Sequence, residues 1–238
     1  RLAENGPMGI MDLSAELGFH KSTTHRLVTS LQYMGYIRQD EESLKYALSL
    51  KFLEIGSKIL EQTNMASLIH PSLKKLSEQT GETVHLVRRE GTEAVYIDKV
   101  ESTVSSIRMV SRVGSRIPLY CSGVGKALLA ELPDPEIEDI WNSSEITSLT
   151  PYTVTSLSDL MDRIRGVREA GYAMDDEENE EGVRCIAVSI PDYHKEPVYA
   201  LSISAPVSRM TDARIAELST DVLTFKKDLE KTLGFSRS

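Results

Sequence analysis

The sequence predicts an α+β protein in which a small, mainly helical module precedes a larger part built around an antiparallel sheet. Apolar residues recur at helical spacing through about the first 80 positions, interrupted once by a short hairpin pattern. From Thr83 onward they alternate with a period of two, which is typical of half-buried strands. Hairpin signals separate these strands, and hairpins join antiparallel neighbours, so the pattern favours α+β over a parallel α/β fold.

The composition excludes several classes of protein. The chain has 238 residues and a formal net charge of −9. It contains no long uncharged apolar run and no signal-peptide pattern, so we expect no membrane partner. Its two cysteines fit a reducing compartment, and we expect a cytoplasmic protein. The acidic total argues against a generally basic coat for nucleic acid, yet residues 18–39 hold three basic and no acidic side chains.

The N-terminal module combines two helices with a hairpin. The spacing predicts helices over residues 10–17 and about 22–34, and strands over 36–39 and 46–48. Gly18 lies between the helices, where a left-handed turn residue is needed. This order is that of a winged helix-turn-helix, which we assign to residues 1–48. The chain begins at Arg1 without a methionine, so we expect its N-terminus to be incomplete.

The second helix of this module has the side chains of a DNA-reading helix. At 100° per residue, Leu27, Leu31 and Met34 share one face, which we expect to be the core face. The remaining surface offers hydroxyl, imidazole and cationic groups, which can reach base edges and phosphates in a major groove. The candidate DNA contacts on the helix and hairpin are Lys21, Ser22, Thr23, His25, Arg26, Thr29, Arg38 and Lys45. The alternative is a polar helical bundle in which these side chains are simply solvated.

A linker helix and a larger domain follow. The predicted linker helix spans residues 49–64 and is apolar on more than one side, so we expect it to pair with a partner subunit. The larger domain spans residues 65–238. Its predicted helices cover residues 66–79, with an interruption at Pro71, and 125–132, 135–141, 156–170 and 211–233. Its predicted strands cover 83–89, 94–100, 105–113, 184–191 and 197–205.

Several segments, in order along the chain, carry a resemblance to one family. Leu17–Val28, followed by Leu31 and Gly35–Ile37, resembles the winged helix of the IclR family of bacterial transcriptional regulators. The later segments that resemble this family are Arg116–Ala130, Gly171–Glu178, Gly182–Ala187 and Ala200–Ala205. The resemblance covers nearly the whole chain. It implies a winged helix-turn-helix joined by the linker helix to a GAF-like effector-binding domain.

The resemblance also implies that this GAF-like domain binds a small organic acid. Carried over by position, the effector-binding residues are Gly123, Val124, Asp175, Cys185, Ser202 and Ser204. Backbone N–H groups ahead of a helix and two serine hydroxyls on one strand face can donate to a carboxylate, while the aspartate can accept from a ligand hydroxyl. The chain departs from the family at Tyr120, where many relatives have His, and at Val124, where a smaller residue is common. The segment around 175–184 favours a sugar acid or a keto acid.

Each pocket residue also has an ordinary structural explanation. The two serines can satisfy neighbouring backbone groups, Cys185 can be a core residue, and Asp175 can open a solvated acidic loop. A metal site built from His70, His85 and the acidic run is disfavoured, because the five histidines have no ligand spacing. We therefore expect no metal and no cofactor.

The combined features predict a transcriptional repressor. We expect it to bind a palindromic double-stranded operator as a homodimer or homotetramer and to respond to a small organic acid. The alternatives are a stand-alone small-molecule sensor and an enzyme that pairs Cys121 or Cys185 with a histidine. The N-terminal module argues against both alternatives.

Overall fold

The computed structural model describes residues 1–55, 65–102, 111–192 and 196–233. The chain divides into two compact units, Arg1–Asn64 and Met65–Ser238. Most of the predicted linker helix lies outside the described residues. Residues 51–55, which belong to it, are helical.

The N-terminal unit is a helix-turn-helix followed by an antiparallel hairpin. Its elements are α1 (Leu2–Asn5), α2 (Ile10–Leu17), α3 (Lys21–Tyr33), β1 (Ile37–Gln39) and β2 (Tyr46–Leu48). Gly18 ends α2 in the left-handed region, at φ 66° and ψ 24°, as predicted. Leu13, Val28, Ile37 and Tyr46 form the core of this unit.

The buried face of α3 differs from the predicted one. Thr24 and Val28 are buried, whereas Leu27, Leu31 and Met34 are 44%, 37% and 47% exposed. At 100° per residue the buried line is rotated by about 70° from the one that apolar spacing indicates. The reason is that α2 and β1 pack along the line of Thr24 and Val28, and these short elements bury little else of α3.

The second unit is an antiparallel sheet with helices on both faces. Its helices are α4 (Met65–Thr80), α5 (Gly123–Leu129), α6 (Asp134–Asn142), α7 (Leu157–Ala170) and α8 (Asp212–Thr232). Its strands are β3 (Thr83–Glu90), β4 (Glu93–Val100), β5 (Arg116–Pro118), β6 (Ala173–Asp176), β7 (Val183–Ile190) and β8 (Tyr199–Pro206). The described strands lie in the order β5-β4-β3-β8-β7-β6, and each neighbouring pair is antiparallel.

Four elements of this unit differ from the prediction. Helix α4 runs unbroken through Pro71, because a proline removes only one backbone hydrogen bond from a helix of 16 residues that is packed against the sheet. The strand predicted over 105–113 lies largely outside the described residues, and 111–113 are not strand. Strands β5 and β6, of three and four residues, were not predicted, since neither shows a period of two by itself. The equally short strands of the N-terminal unit were predicted only as a pair around a polar turn.

The two faces of the central strands carry different sets of side chains. On one face, Val84, Leu86, Ile186 and Ile203 are fully buried in an apolar cluster with residues of α4 and α8. The other face, which we call the polar face, lies under α5 and mixes polar and apolar side chains. His85, Cys185, Ser202 and Ser204 lie there beside Val87, Ala187 and Ala200, which belong to a second apolar cluster. Both faces are therefore packed, and the polar positions of the second face can hold a site.

Candidate functional site

The N-terminal unit presents a polar, cationic surface on α3 and the hairpin. The cations Lys21, Arg26, Arg38 and Lys45 are exposed, and none forms an ion pair with a described residue. Among the other predicted DNA contacts, Ser22, His25 and Thr29 are exposed and Thr23 is half-buried. The first N–H groups of an α-helix have no carbonyl partner within the helix. At the N-terminus of α3, no side chain accepts from them. This surface, which we call the reading surface, can therefore bind phosphate and base edges.

The end of α3 is tied to the helical residues 51–55. Lys51 Nζ donates to the carbonyl oxygen of Met34 at 2.6 Å and lies 4.6 Å from the centre of the Tyr36 ring. The rings of Tyr36 and Phe52 pack with their centroids 5.3 Å apart. A cation at the C-terminus of a helix is favourable, so Lys51 stabilises the end of α3 as well as joining it to the next helix.

The polar face of the sheet brings together four predicted effector-binding residues. In register, Asp175 of β6 lies beside Cys185 of β7, which lies beside Ser204 of β8. Ser202 shares the face of Ser204, and their Oγ atoms are 3.4 Å apart. Asp175 and both serines are each 3% exposed. Burial raises the pKa of the Cys185 thiol, which keeps it protonated.

Helix α5 lies against neighbouring backbone at both of its glycines. A Cβ atom at Gly123 would lie 3.4 Å from the backbone nitrogen of Asp175, and one at Gly125 would lie 2.1 Å from the carbonyl oxygen of Leu119. Gly123 and Val124 are the first residues of α5 and do not precede it as predicted. The side chain of Val124 is buried in the core cluster under α5.

Asp175 is a buried carboxyl that is only partly neutralised by its partners. Its Oδ1 accepts hydrogen bonds from the backbone nitrogens of Glu178 at 2.8 Å and Asn179 at 3.4 Å. Burial raises its pKa to about 7, against the opposing effect of Lys126. The alternative of a solvated acidic loop is therefore wrong for Asp175, which lies within β6.

A buried ion pair beside Asp175 was not predicted from the sequence. Lys126 and Glu178 are 1% and 2% exposed, and Lys126 Nζ donates to Glu178 Oε1. Glu178 Oε2 has no hydrogen-bond partner among the described residues. Thr153 Oγ1 donates to the Glu178 carbonyl oxygen at 2.6 Å, which holds the loop after β6 in place. A glutamate in an acidic run carries no sequence signal of burial.

His85 also lies on the polar face, and the sequence did not predict it there. It is 2% exposed, and its Nδ1 lies 3.5 Å from Ser202 Oγ and 3.3 Å from Ser204 Oγ. Its Nε2 lies 2.7 Å from Ser111 Oγ, and its ring packs edge-on against Tyr96. Burial, with a contribution from the charge of Lys99, lowers its pKa to about 3, so the imidazole is neutral. The period of two along β3 places His85 on the same face as Thr83, and this was the one sequence signal for its position.

Tyr120, the departure from the family pattern, has a structural contact. Its hydroxyl donates to the carbonyl oxygen of Thr147 at 2.8 Å, and its ring packs edge-on against Trp141. The side chain is 3% exposed and belongs to the core cluster under α5. Tyr120 therefore holds the segment around Thr147.

The described part of the chain shows neither a membrane span nor a metal cluster. None of its helices combines the length and apolar character needed to cross a bilayer. Within the same residues, no group of three or more His, Cys, Asp or Glu could hold a metal ion. His70 and His85 have different partners: His70 pairs with Asp98 at 2.8 Å, whereas His85 contacts serines.

Comparisons with known proteins match both units. Residues 2–41 match the IclR helix-turn-helix domain, and residues 57–230 match the family described as bacterial transcriptional regulator IclR C-terminal. The acetate operon repressor of Salmonella typhimurium is 37% identical over 235 residues, which are 98% of this chain and 85% of that protein. The transcriptional regulator KdgR of Escherichia coli is 36% identical over 234 residues, 98% of this chain and 89% of its own.

Solved structures give the same result. The IclR structure of Thermotoga maritima has a TM-score of 0.69 and 33% identity, covering 96% of this chain and 92% of that one. The repressor BlcR of Agobacterium tumefaciens has a TM-score of 0.80 and 26% identity, covering 98% and 92%. The named relatives are transcriptional regulators, so the enzyme and stand-alone sensor alternatives are wrong. The chain belongs to the IclR family and is a transcriptional regulator with an N-terminal helix-turn-helix DNA-binding domain.

Proposed function

We propose that this regulator is a repressor that binds a palindromic operator as a dimer or tetramer and changes its affinity for that operator when a small organic acid occupies the polar face of the sheet. The observation that carries the effector part is the burial of Asp175, Ser202 and Ser204 together on one face. Buried polar groups are costly unless they have partners, so a buried polar cluster of this kind suits a polar ligand.

In this proposal, the carboxylate of the effector binds to the serine hydroxyls. Ser202 and Ser204 can both donate to one anion, and the backbone N–H groups of Gly123 and Val124 open α5 above them. Asp175 receives a hydroxyl or oxo group of the ligand. Its pKa of about 7 means that a proton is often present, which reduces repulsion with an acid. This arrangement favours sugar acids and keto acids.

The DNA part of the proposal assigns contacts to the reading surface. Lys21, Ser22, Thr23, His25, Arg26 and Thr29 on α3 enter the major groove, while Arg38 and Lys45 on the hairpin contact the backbone. The acetate operon repressor and BlcR, two of the similar proteins described above, are named as repressors, which supports repression over activation. The symmetry of a dimer is matched by a palindromic site.

Two double variants separate the DNA and effector roles. Lys21→Ala with Arg26→Ala should abolish the gel shift of the protein's own promoter DNA at physiological salt, because two exposed cations of the reading surface are lost. Ser202→Ala with Ser204→Ala should retain that shift but lose its response to pyruvate, gluconate or galactarate. Thermal unfolding of both variants confirms that they are folded.

Either of two results would overturn the corresponding assignment. A normal gel shift by the Lys21/Arg26 variant would move the DNA contacts off α3. An unchanged acid response in the double-serine variant would place the effector elsewhere.

A further inference from the structure

We propose that His85 is a positioning residue of the effector site, which sets the direction of the Ser202 and Ser204 hydroxyl groups so that both can donate to an anionic ligand. The inference rests on the proposed effector site and adds a residue that determines its preference for acids. His85 lies on β3 directly beside Ser202 in the sheet register.

The hydroxyl groups around His85 impose a proton arrangement. Each serine hydroxyl has one proton, and a neutral imidazole carries one N–H. If Nδ1 lacks the proton, a serine hydroxyl that approaches it must donate its proton to Nδ1. That serine then has no proton left to donate to the ligand. If Nδ1 carries the proton, Ser202 and Ser204 act as acceptors toward the ring, at 3.5 and 3.3 Å, and their own protons are free.

Ser111 completes the arrangement on the opposite side of the ring. Its Oγ lies 2.7 Å from Nε2 and can donate to that nitrogen when Nδ1 holds the proton. The Tyr96 ring, with its centroid 5.1 Å from that of His85, confines the imidazole laterally. An anion that accepts from both serines thus selects one tautomer, and the ring, serines and ligand form a continuous set of aligned hydrogen bonds.

This arrangement of hydrogen bonds gives the site a preference for acids although neither the imidazole nor the two serines carries a charge. The imidazole is neutral because its pKa is about 3, so the two serines and the ring supply dipoles alone. A neutral amide analogue has only one strong acceptor oxygen and adds donors that face the serine protons. The site should therefore bind a carboxylate more tightly than its amide.

The experiment compares His85→Phe, which keeps an aromatic ring but removes both nitrogens, with His85→Gln, which keeps a donor and an acceptor. Binding of pyruvate, pyruvamide, gluconate and gluconamide to the full chain is measured by calorimetry. We expect His85→Phe to weaken acid binding by about tenfold and to lose most of the preference over the amide. His85→Gln should recover much of that preference, which a purely structural role for the ring does not predict.

A matched control is His70→Phe, the same substitution at an exposed histidine of α4 that pairs with Asp98. It should leave acid binding unchanged. The role of His85 is overturned if His85→Phe keeps the wild-type preference for the acid over its amide. It is also overturned if folded His85→Phe and His85→Gln lose that preference equally. Both results leave the proposed function standing. Failure of the wild-type protein to bind any acid overturns both proposals.

Discussion

Asp175 is the residue with the clearest dependence on pH. Its pKa rises from an ordinary 3.8 to about 7 because the carboxyl is buried. In the unfolded chain the group ionises near pH 4, whereas in the folded chain it keeps its proton to about pH 7. The contribution of the protonated Asp175 to the free energy of unfolding is therefore complete below pH 4 and is lost as the pH rises from 4 to 7.

We predict that Asp175→Asn is more stable than the wild type at pH 8 and similar to it near pH 4. The amide is nearly the same shape, can accept the two backbone hydrogen bonds, and carries no charge to desolvate. The shift of the pKa corresponds to a difference of up to about 4 kcal/mol. Urea unfolding of both proteins between pH 4 and pH 8 measures it. Parallel stability curves would show that Asp175 is not the titrating group, since His85 is present in both.

The effector-site residues differ in how far the sequence could predict them. Ser202, Ser204 and Asp175 were named from the family resemblance, and the register brings them together. Lys126 and Glu178 were missed because charged residues are rarely buried, and their pairing depends on a contact between residues 52 positions apart.

At the level of elements, α5 depends on one glycine. At Gly125 an added Cβ would lie 2.1, 2.3 and 2.5 Å from three backbone atoms of Leu119, which cannot move aside as a side chain could. At Gly166, on the exposed side of α7, nothing lies within 4 Å of the same atom. The two glycines therefore differ in role although both lie in helices.

We predict opposite effects of alanine at these two glycines. Gly125→Ala should destabilise the protein by about 3 kcal/mol or more, because either α5 or the backbone of Leu119 must move. Gly166→Ala should stabilise it by about 0.5–1 kcal/mol, because alanine loses less backbone entropy in a helix. Chemical denaturation measures both. A Gly125→Ala protein with wild-type stability would contradict the close approach of α5 to the backbone of Leu119.

The elements themselves were predicted better than their orientation. Long periodic segments such as α7 and α8 agree within two residues of their predicted bounds. The buried side of α3 was wrong because periodicity identifies an apolar line but not the one that neighbours cover. Only the tertiary packing of α2 and β1 on Thr24 and Val28 decides that question.

For the whole molecule, the distribution of charge matters more than the total of −9. Residues 1–62 hold seven basic and eight acidic side chains, so the rest of the chain carries nearly all of the negative charge. An acidic body repels DNA in general, while the unpaired cations of the reading surface attract phosphates locally. Specific binding should then be sensitive to salt through a small number of residues.

We predict that Lys45→Ala lowers the slope of log affinity against log salt by about one unit. The reason is that one phosphate contact releases about one counterion. The control is Lys74→Ala, which removes an exposed cation of α4 that pairs with Glu78 and should leave the slope unchanged. Gel shifts of the promoter DNA at several salt concentrations measure both slopes. Equal slopes for Lys45→Ala and the wild type would remove Lys45 from the DNA contacts.

Along β7 and β8, alternate positions serve separate purposes. Ile186 and Ile203 point into the apolar cluster, while their neighbours Cys185 and Ser204 point to the other face. Substitutions at one set of positions can therefore alter ligand preference while the other set continues to hold the sheet on α4 and α8. The ligand preference of such a sheet can change by substitution while the residues that stabilise the fold stay the same. A family of sensors can therefore arise from one fold by changes at every second residue.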